Sequence, residues 1–263
     1  CKRKSYRAAC ITNIIVDEKF RSGSLKLLKE YINQSNVDIL INTTANDIMG
    51  AVLRGLKFSE FPQKNYNLIY YFLLKPRIST FLYFEKKMPK FLAHLFAVGL
   101  GGIITLYLHF HDAIVFKSNN DAHVSIVEIS PDDLDDSYDD FWENIKSREK
   151  KFMLSRTRHM LKWHFSNAFY RNGIKIFCYR VKEKILGYVI VAVLKTNNAT
   201  RVRIVDIIAE DDREDVLDQL IIAAYKYGKK VDALLLECFF VPYCVRKRLN
   251  RLAHVRKKRE GHV

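Results

Sequence analysis

Apolar and polar positions come in blocks along this chain, and the blocks change period. Ile11 to Val16 is an apolar run that stops at Asp17, Glu18 and Lys19, the pattern of a buried strand. Leu25, Leu28 and Ile32 then recur at helical spacing, so Phe20 to Ser24 form a tight turn from strand into helix. Val37 to Thr43 predicts a second buried strand and Asn46 to Leu56 a helix; Lys57-Phe58 and Asn65 to Leu74 predict further strand. Lys75 to Phe116 breaks the alternation: Pro76 and Pro89 punctuate it, and Phe91 to His111 carries no formal charge. Strand returns at Val124 to Ile129, and Ser130-Pro131-Asp132-Asp133 starts a helix with proline at its first position and acids in its first turn. Ile174 to Val181 and Ile185 to Leu194 predict a hairpin about Lys182-Glu183-Lys184. Arg201 to Ala209, Arg213 to Tyr227, Val231 to Phe239 and Cys244 to Arg259 then read strand, helix, strand, helix, the order seen near the start. The fold class predicted is α/β, with a mixed sheet and one unit used twice.

A strand that turns into a helix leaves the free N–H groups of the first helical turn pointing outward, where the helix dipole favours an anion. The stretch in question, Val16 to Ser24 (VDEKFRSGS), resembles the signature of the GNAT acyltransferase superfamily, in which an aromatic residue, Arg or Gln and a glycine-rich loop take the pyrophosphate of acetyl-CoA. The resemblance implies acetyl-CoA, or another acyl-CoA, as cosubstrate. Main chain near Ile14 and Val16 would pair with the pantetheine arm, and Arg21, Ser22, Gly23, Ser24 and Leu25 would hold the diphosphate. Asn46 stands where the family often has an Asn near the CoA sulfur; by residue type alone it is equally a helix cap with Asp47. The chain has one loop glycine where the family usually has two. Leu53 to Phe58 (LRGLKF) resembles the family's YEKLGF ending, with Leu53 in place of the tyrosine that protonates the leaving thiolate. Leucine has no proton to give, so no catalytic acid or base is named.

The match covers the second half of such a domain. It implies that residues 1–75 are the C-terminal half of a GNAT-like domain whose first half lies before Cys1 or is supplied elsewhere. Residues 76–122 are then an apolar linker and 123–263 a second GNAT-like domain. Phe141-Trp142, with Leu154 to Phe165 (LSRTRHMLKWHF), resembles the C-terminal domain of bacterial tandem proteins linked to surface polysaccharide pathways. Arg156, Leu161, Lys162, Trp163, His164 and Phe165 fit that pattern, and both tryptophans are expected to be packing anchors. In this second domain Glu210, Asp211 and Asp212 stand where a pyrophosphate loop should be, and like charges repel. It is therefore expected not to hold CoA and to shape the acceptor site instead. The chain ends about where the family's sixth strand would begin.

At 263 residues with 49% hydrophobic and 13% aromatic content the chain can fill two cores, and general disorder is excluded. A formal charge of +15 favours an anionic partner without saying which. Basic residues of the last segment read as a solvated face over an apolar seam, or as a contact for anionic lipid or polymer. Nucleic acid is disfavoured because no aromatic residue stands among them. Cys1, Cys10, Cys178, Cys238 and Cys244 are odd in number and form no CxxC pair, which points to reduced thiols in a cytoplasmic protein without structural zinc. The opening CKRKSYR has no Met and no signal-peptide pattern, so the natural N-terminus is expected to lie upstream. His109-Phe110-His111-Asp112 reads as the polar rim of an apolar helix rather than a metal site. Phe91 to His111 has three readings: a membrane span, a membrane-surface segment helped by Lys86, Lys87 and Lys90, or a covered linker helix.

The resemblance thus implies an N-acyltransferase that moves an acyl group from CoA to a small-molecule or sugar amine, with an oligomer compatible. The alternatives are a FemABX-like aminoacyl transferase and a non-catalytic GNAT-fold adaptor at a membrane surface.

Overall fold

The structure, a computed structural model, describes residues 6–11, 17, 19, 23–42, 47–59, 67–116, 124–148, 153–165, 173–196, 199–239 and 241–258. Two compact units result, one from the described residues up to Asn67 and one from Leu68–Lys258.

The first unit is a strand–helix–strand–helix series: β1 (Ala8–Ile11), α1 (Gly23–Ile32), β2 (Ile39–Asn42) and α2 (Asp47–Gly55). β1 and β2 pair in parallel from Ala8 opposite Ile39 to Ile11 opposite Asn42, so α1 is the crossover that parallel pairing requires. Leu28 and Tyr31 of α1 and Leu53 of α2 form the buried centre, against Ala9, Ile11 and Leu40. The Tyr31 hydroxyl lies 2.8 Å from the Ile41 carbonyl and 3.1 Å from that of Ala9, tying the helix to both strands. β1 covers Ala8–Ile11; of the strand expected from Ile11 to Val16 only Ile11 is among the described residues.

The second unit is built on a seven-stranded sheet of β3 (Leu68–Leu73), β4 (Val124–Ile129), β5 (Ile174–Val181), β6 (Lys184–Thr196), β7 (Ala199–Ala209), β8 (Leu235–Phe239) and β9 (Val255–Lys258). The spatial order is β4-β5-β6-β7-β8-β3-β9, antiparallel except between β7 and β8. This is the mixed α/β sheet that the periodicity predicted. The segment Asn65 to Leu74, expected to complete the first unit, instead gives a strand of the second. Ile69 to Leu73 pair with β8 and Leu68 to Tyr71 with β9, which satisfies both its edges. The expected helix from Cys244 to Arg259 likewise divides. α8 (Tyr243–Leu252) ends at Leu252, and Val255 to Lys258 form β9, because β3 would otherwise be an open edge.

Both faces of this sheet are covered. On one, α7 (Glu214–Lys230) and α8 pack Val216, Leu217, Leu220, Ile221, Val245 and Leu249 against Leu186, Val189, Val191, Val202 and Ile204. On the other, α5 (Asp136–Arg148) and α6 (Arg158–Phe165) pack Tyr138, Phe141, Trp142 and Leu161 against Ile176, Cys178, Tyr188 and Ile190. A strand buried on both faces needs no polar alternation, which is why Ile185 to Ala192 reads as one apolar run. Within that run Gly187 is required: a β-carbon there would stand 2.8 Å from the Ile208 carbonyl oxygen and 2.8 Å from Val216 Cγ1. Gly187→Ala is expected to cost about 2 kcal/mol by overpacking, read as a lower urea midpoint; an unchanged midpoint would show that α7 can shift freely.

Between β3 and β4 the chain forms a helical hairpin, α3 (Pro76–Phe84) and α4 (Lys90–Val115). Ala93, Ala97 and Gly101, four residues apart, form the buried stripe of α4. A β-carbon at Gly101 would lie 2.9 Å from the Arg77 Cα, so glycine is what lets the two helices approach.

Candidate functional site

Each unit contains one parallel strand pair joined by a crossover helix, β1–α1–β2 and β7–α7–β8, and the two differ at the helix start. α1 opens on Gly23, where an added β-carbon would meet no atom within 4 Å, and its first turn has no acidic residue. Leu25 is 67% exposed and Ser24 half-buried with a partner of its own. The structure therefore places Gly23, Ser24 and Leu25 together at an accessible helix N-terminus. Ile14, Val16, Arg21, Ser22 and Asn46 lie outside the described residues. Leu53 is buried in the core beside Tyr31, a packing position.

The turn into α7 is the reverse case. A 3-10 turn, Glu210–Asp212, precedes the helix, with Asp211 and Asp212 both at positive φ, and Glu214 and Asp215 occupy its first turn. Glu210 is buried and held by Lys184 Nζ at 3.0 Å, Arg148 Nη1 at 2.8 Å and Asn144 Nδ2 at 2.6 Å. Burial works against its charge, but those donors hold the carboxyl below its ordinary pKa. Arg213 pairs with Asp215 at 2.5 Å. From the other side α8 presents Lys247 to Glu214 at 2.6 Å and Arg248 to Asp218 at 2.6 and 2.7 Å. The basic face of α8, read from the sequence as solvated or lipid-facing, is in this part an internal ladder against the acids of α7. A diphosphate at this helix start would meet ionised carboxylates, and the cations nearby are already engaged by them.

β7 and β8 pair only from Arg201 opposite Leu235 to Ile204 opposite Cys238, while β7 runs on, paired with β6, as far as Ala209 opposite Gly187. At the point of parting, a bulge inserts Val205, since Ile190 faces Asp206 and Val191 faces Ile204. The extra residue turns Asp206 to the α5–α6 face. There its carboxylate accepts from Arg156 Nε at 2.7 Å and Nη2 at 3.1 Å and from the Tyr188 hydroxyl at 2.6 Å. Burial disfavours the Arg156 charge, yet Asp206 more than offsets it and raises the guanidinium pKa; burial raises the phenols of Tyr188 and Tyr138. Arg156, singled out in the sequence, is thus the clamp of a buried network, whereas its partner Asp206 carried no signal.

No family model matches the chain, and no curated protein matches it. Solved structures similar to part of it include an aminoglycoside acetyltransferase from an uncultured soil metagenomic sample, in complex with trehalose, at 18% identity. The similarity covers 49% of this chain and 85% of that one, with a TM-score of 0.38. A predicted acetyltransferase from Clostridium acetobutylicum, solved with acetyl-CoA, is 9% identical over 49% of this chain and 87% of that one, TM-score 0.38. A functionally unknown conserved protein from Staphylococcus epidermidis ATCC 12228 is 11% identical over 92% of this chain and 78% of that one, TM-score 0.41. At this overlap the likeness carries neither activity nor substrate, and the fold class rests on the strand order above.

Three further sequence features have a defined place. Trp142 is buried as expected, but Trp163 is 67% exposed and is not a packing anchor. Leu161 and Phe165, four apart, fill the inward side of α6 instead, and Trp163, two residues from each, falls on the opposite side. Cys178 and Cys238 are fully buried and free; burial pushes the Cys178 thiol up to about 12, so it is unreactive at neutral pH.

The third is the His111, Asp112 and His254 group. His254 Nδ1 accepts the Leu73 backbone N–H at 3.0 Å, so the proton sits on Nε2, which faces Asp112 Oδ1 at 3.2 Å and donates to it. A metal at Nε2 would require that proton to leave a ring whose other nitrogen is already an acceptor. The Asp112 carboxylate also accepts from the Tyr225 hydroxyl and from Lys229 Nζ at 3.1 Å. The group is a hydrogen-bond junction joining α4, α7 and the end of α8.

Proposed function

We propose that this protein is an acyl-CoA-dependent N-acyltransferase that moves an acyl group, acetyl first among the candidates, onto the amine of a small-molecule or sugar acceptor. The observation that carries this reading is the contrast between the two crossovers. α1 begins at a glycine with open space and no carboxylate in its first turn, whereas five acids, Glu210, Asp211, Asp212, Glu214 and Asp215, stand at the start of α7. In this reading the N–H groups of Gly23, Ser24 and Leu25 hold the diphosphate, and the resemblance assigns Arg21 and Ser22 to the same role, Ile14 and Val16 to the pantetheine and Asn46 to the sulfur. Bound acyl-CoA supplies an acyl group already activated as a thioester. The protein's part is to orient it for in-line attack by the amine, which needs no covalent intermediate. The second unit, closed to a diphosphate at its own crossover, serves acceptor recognition.

Calorimetric titration with acetyl-CoA tests the reading. Saturable heat is expected, and Gly23→Glu, which sets a carboxylate at the anion end of the α1 dipole, should weaken binding at least about tenfold. Absence of heat at millimolar ligand would end the proposal. One observation favours a second reading, a non-catalytic adaptor: Leu53 is buried where an acid would be needed. Acetyl-CoA binding without release of free CoA thiol in the presence of amines would select it.

A further inference from the structure

The outward half of α4 is apolar from end to end. Phe91, Val98, Ile103, Leu106, Phe110 and Ile114 are each 56% to 76% exposed, and only 22% of the most apolar 18-residue stretch of the helix is buried. From Phe91 to Ile114 the stripe is about 35 Å long at 1.5 Å per residue. No charged side chain falls between Phe91 and His111. The Thr105 hydroxyl turns back onto the Gly101 carbonyl at 2.6 Å, which leaves His94, Tyr107 and His109 as the polar groups of the outer surface. The opposite half is already engaged, Ala93, Ala97 and Gly101 along its buried stripe and Asp112 by Tyr225, Lys229 and His254.

Cations gather at one end of this stripe. Lys86, Lys87 and Lys90 occupy the turn between α3 and α4 and the start of α4, against the single acid Glu85. Lys87 Nζ hydrogen-bonds the Tyr83 hydroxyl at 2.6 Å and lies 4.2 Å from that ring's centre. Lys257 of β9 adds its field at the same phenol, whose pKa is lowered first by the bond to Lys87. An aromatic and aliphatic face edged by lysines, on a chain of formal charge +15, is complementary to anionic lipid. A protein partner fits it less well, because protein interfaces retain roughly 40% polar area and a polar rim.

We propose that the α3–α4 hairpin lies flat in the interface of an anionic bilayer, with the outward face of α4 among the acyl chains and Lys86, Lys87 and Lys90 among the headgroup phosphates. A transmembrane placement is disfavoured by the same contacts. Gly101, near the middle of α4, packs on Arg77, and the last turns of α4 hold the ionised Asp112 junction, so a spanning helix would draw these charges into hydrocarbon. The protein is then held at a membrane surface without crossing it.

Flotation of the full chain with phosphatidylcholine vesicles, with and without about one quarter phosphatidylglycerol, tests this. The protein should float with the mixed vesicles and be released by alkaline carbonate. Ile103→Glu with Phe110→Glu, both at exposed positions, should lower partition about 100-fold. Lys86→Glu with Lys87→Glu should lower it about tenfold on the mixed vesicles alone, a loss that high salt reproduces in the unaltered protein. Far-ultraviolet dichroism of each variant checks that the fold is intact, and Phe91→Glu with Ile114→Glu repeats the test should the first pair unfold. Three results would overturn the proposal: no flotation, retention through carbonate as for a spanning helix, or a lipid-free dimer that the apolar substitutions split into monomers.

Discussion

Asp206→Ala should destabilise the Leu68–Lys258 unit by about 3 kcal/mol, because it leaves a partly buried guanidinium and a fully buried phenol without the carboxylate that accepts their hydrogen bonds. Arg156 gives it two N–H donors at 2.7 and 3.1 Å and Tyr188 its hydroxyl at 2.6 Å, and the three groups are partly or fully buried. Without Asp206, Arg156 must move to solvent or remain ionised and unpaired. Asp206→Asn retains one acceptor and the shape, so about half of the loss is expected. Urea melts should show a lower midpoint at unchanged slope for both variants. A double-mutant cycle with Arg156→Met should recover a coupling of more than about 1 kcal/mol. Equal midpoints for Asp206→Ala and the parent protein would mean that the network is wet and contributes nothing.

This network also shows what the sequence conveys and what it does not. Strands and helices from Val124 to Phe239 were largely legible because their periods are clean: the hairpin at Lys182, the strand ending at Ala209 and the helix from Glu214 all stand within a few residues of the expected positions. The acidic start after Ser130 was legible as a cap, although Pro131 to Asp133 close only a 3-10 turn and α5 begins at Asp136. Side-chain direction across a bulge was not legible. Uninterrupted alternation would point Asp206 the same way as Ile204, and nothing in RVRIVDIIA marks Val205 as the extra residue. Pairing between distant strands was equally hidden. Tyr70 meets Cys238 and Arg256, partners more than half the chain away, and the local run Val255 to Lys258 reads as helix until the open edge of β3 is known. Of the proposed cradle, the helix start at Gly23 lies where the change of period put it, and the turn residues before it, 20–22, are outside the described residues.

Asp112→Asn should lower stability by about 2 to 3 kcal/mol at neutral pH, and the deficit should vanish in acid. Burial by itself would raise the Asp112 carboxyl pKa, but the His254 N–H, the Tyr225 hydroxyl and the Lys229 ammonium outweigh it and hold the folded value below the ordinary one. A carboxylate whose folded pKa is depressed stabilises in full above its unfolded pKa of about 4, and that contribution disappears as pH falls through the lower folded value. The difference in unfolding free energy between the parent protein and Asp112→Asn should therefore be flat from about pH 5 to 8 and shrink below about pH 4. A deficit that instead grows toward acid would assign the junction's energy to a protonated partner rather than to the carboxylate. Because Asp112 is where α4 meets α7 and His254, the same substitution should speed amide exchange in the last turns of α4 while leaving Val216 to Ile222 protected, since those residues lie in the sheet core and do not depend on the junction. Exchange that quickened equally in both helices would mean that the junction holds the whole unit together rather than one helix end.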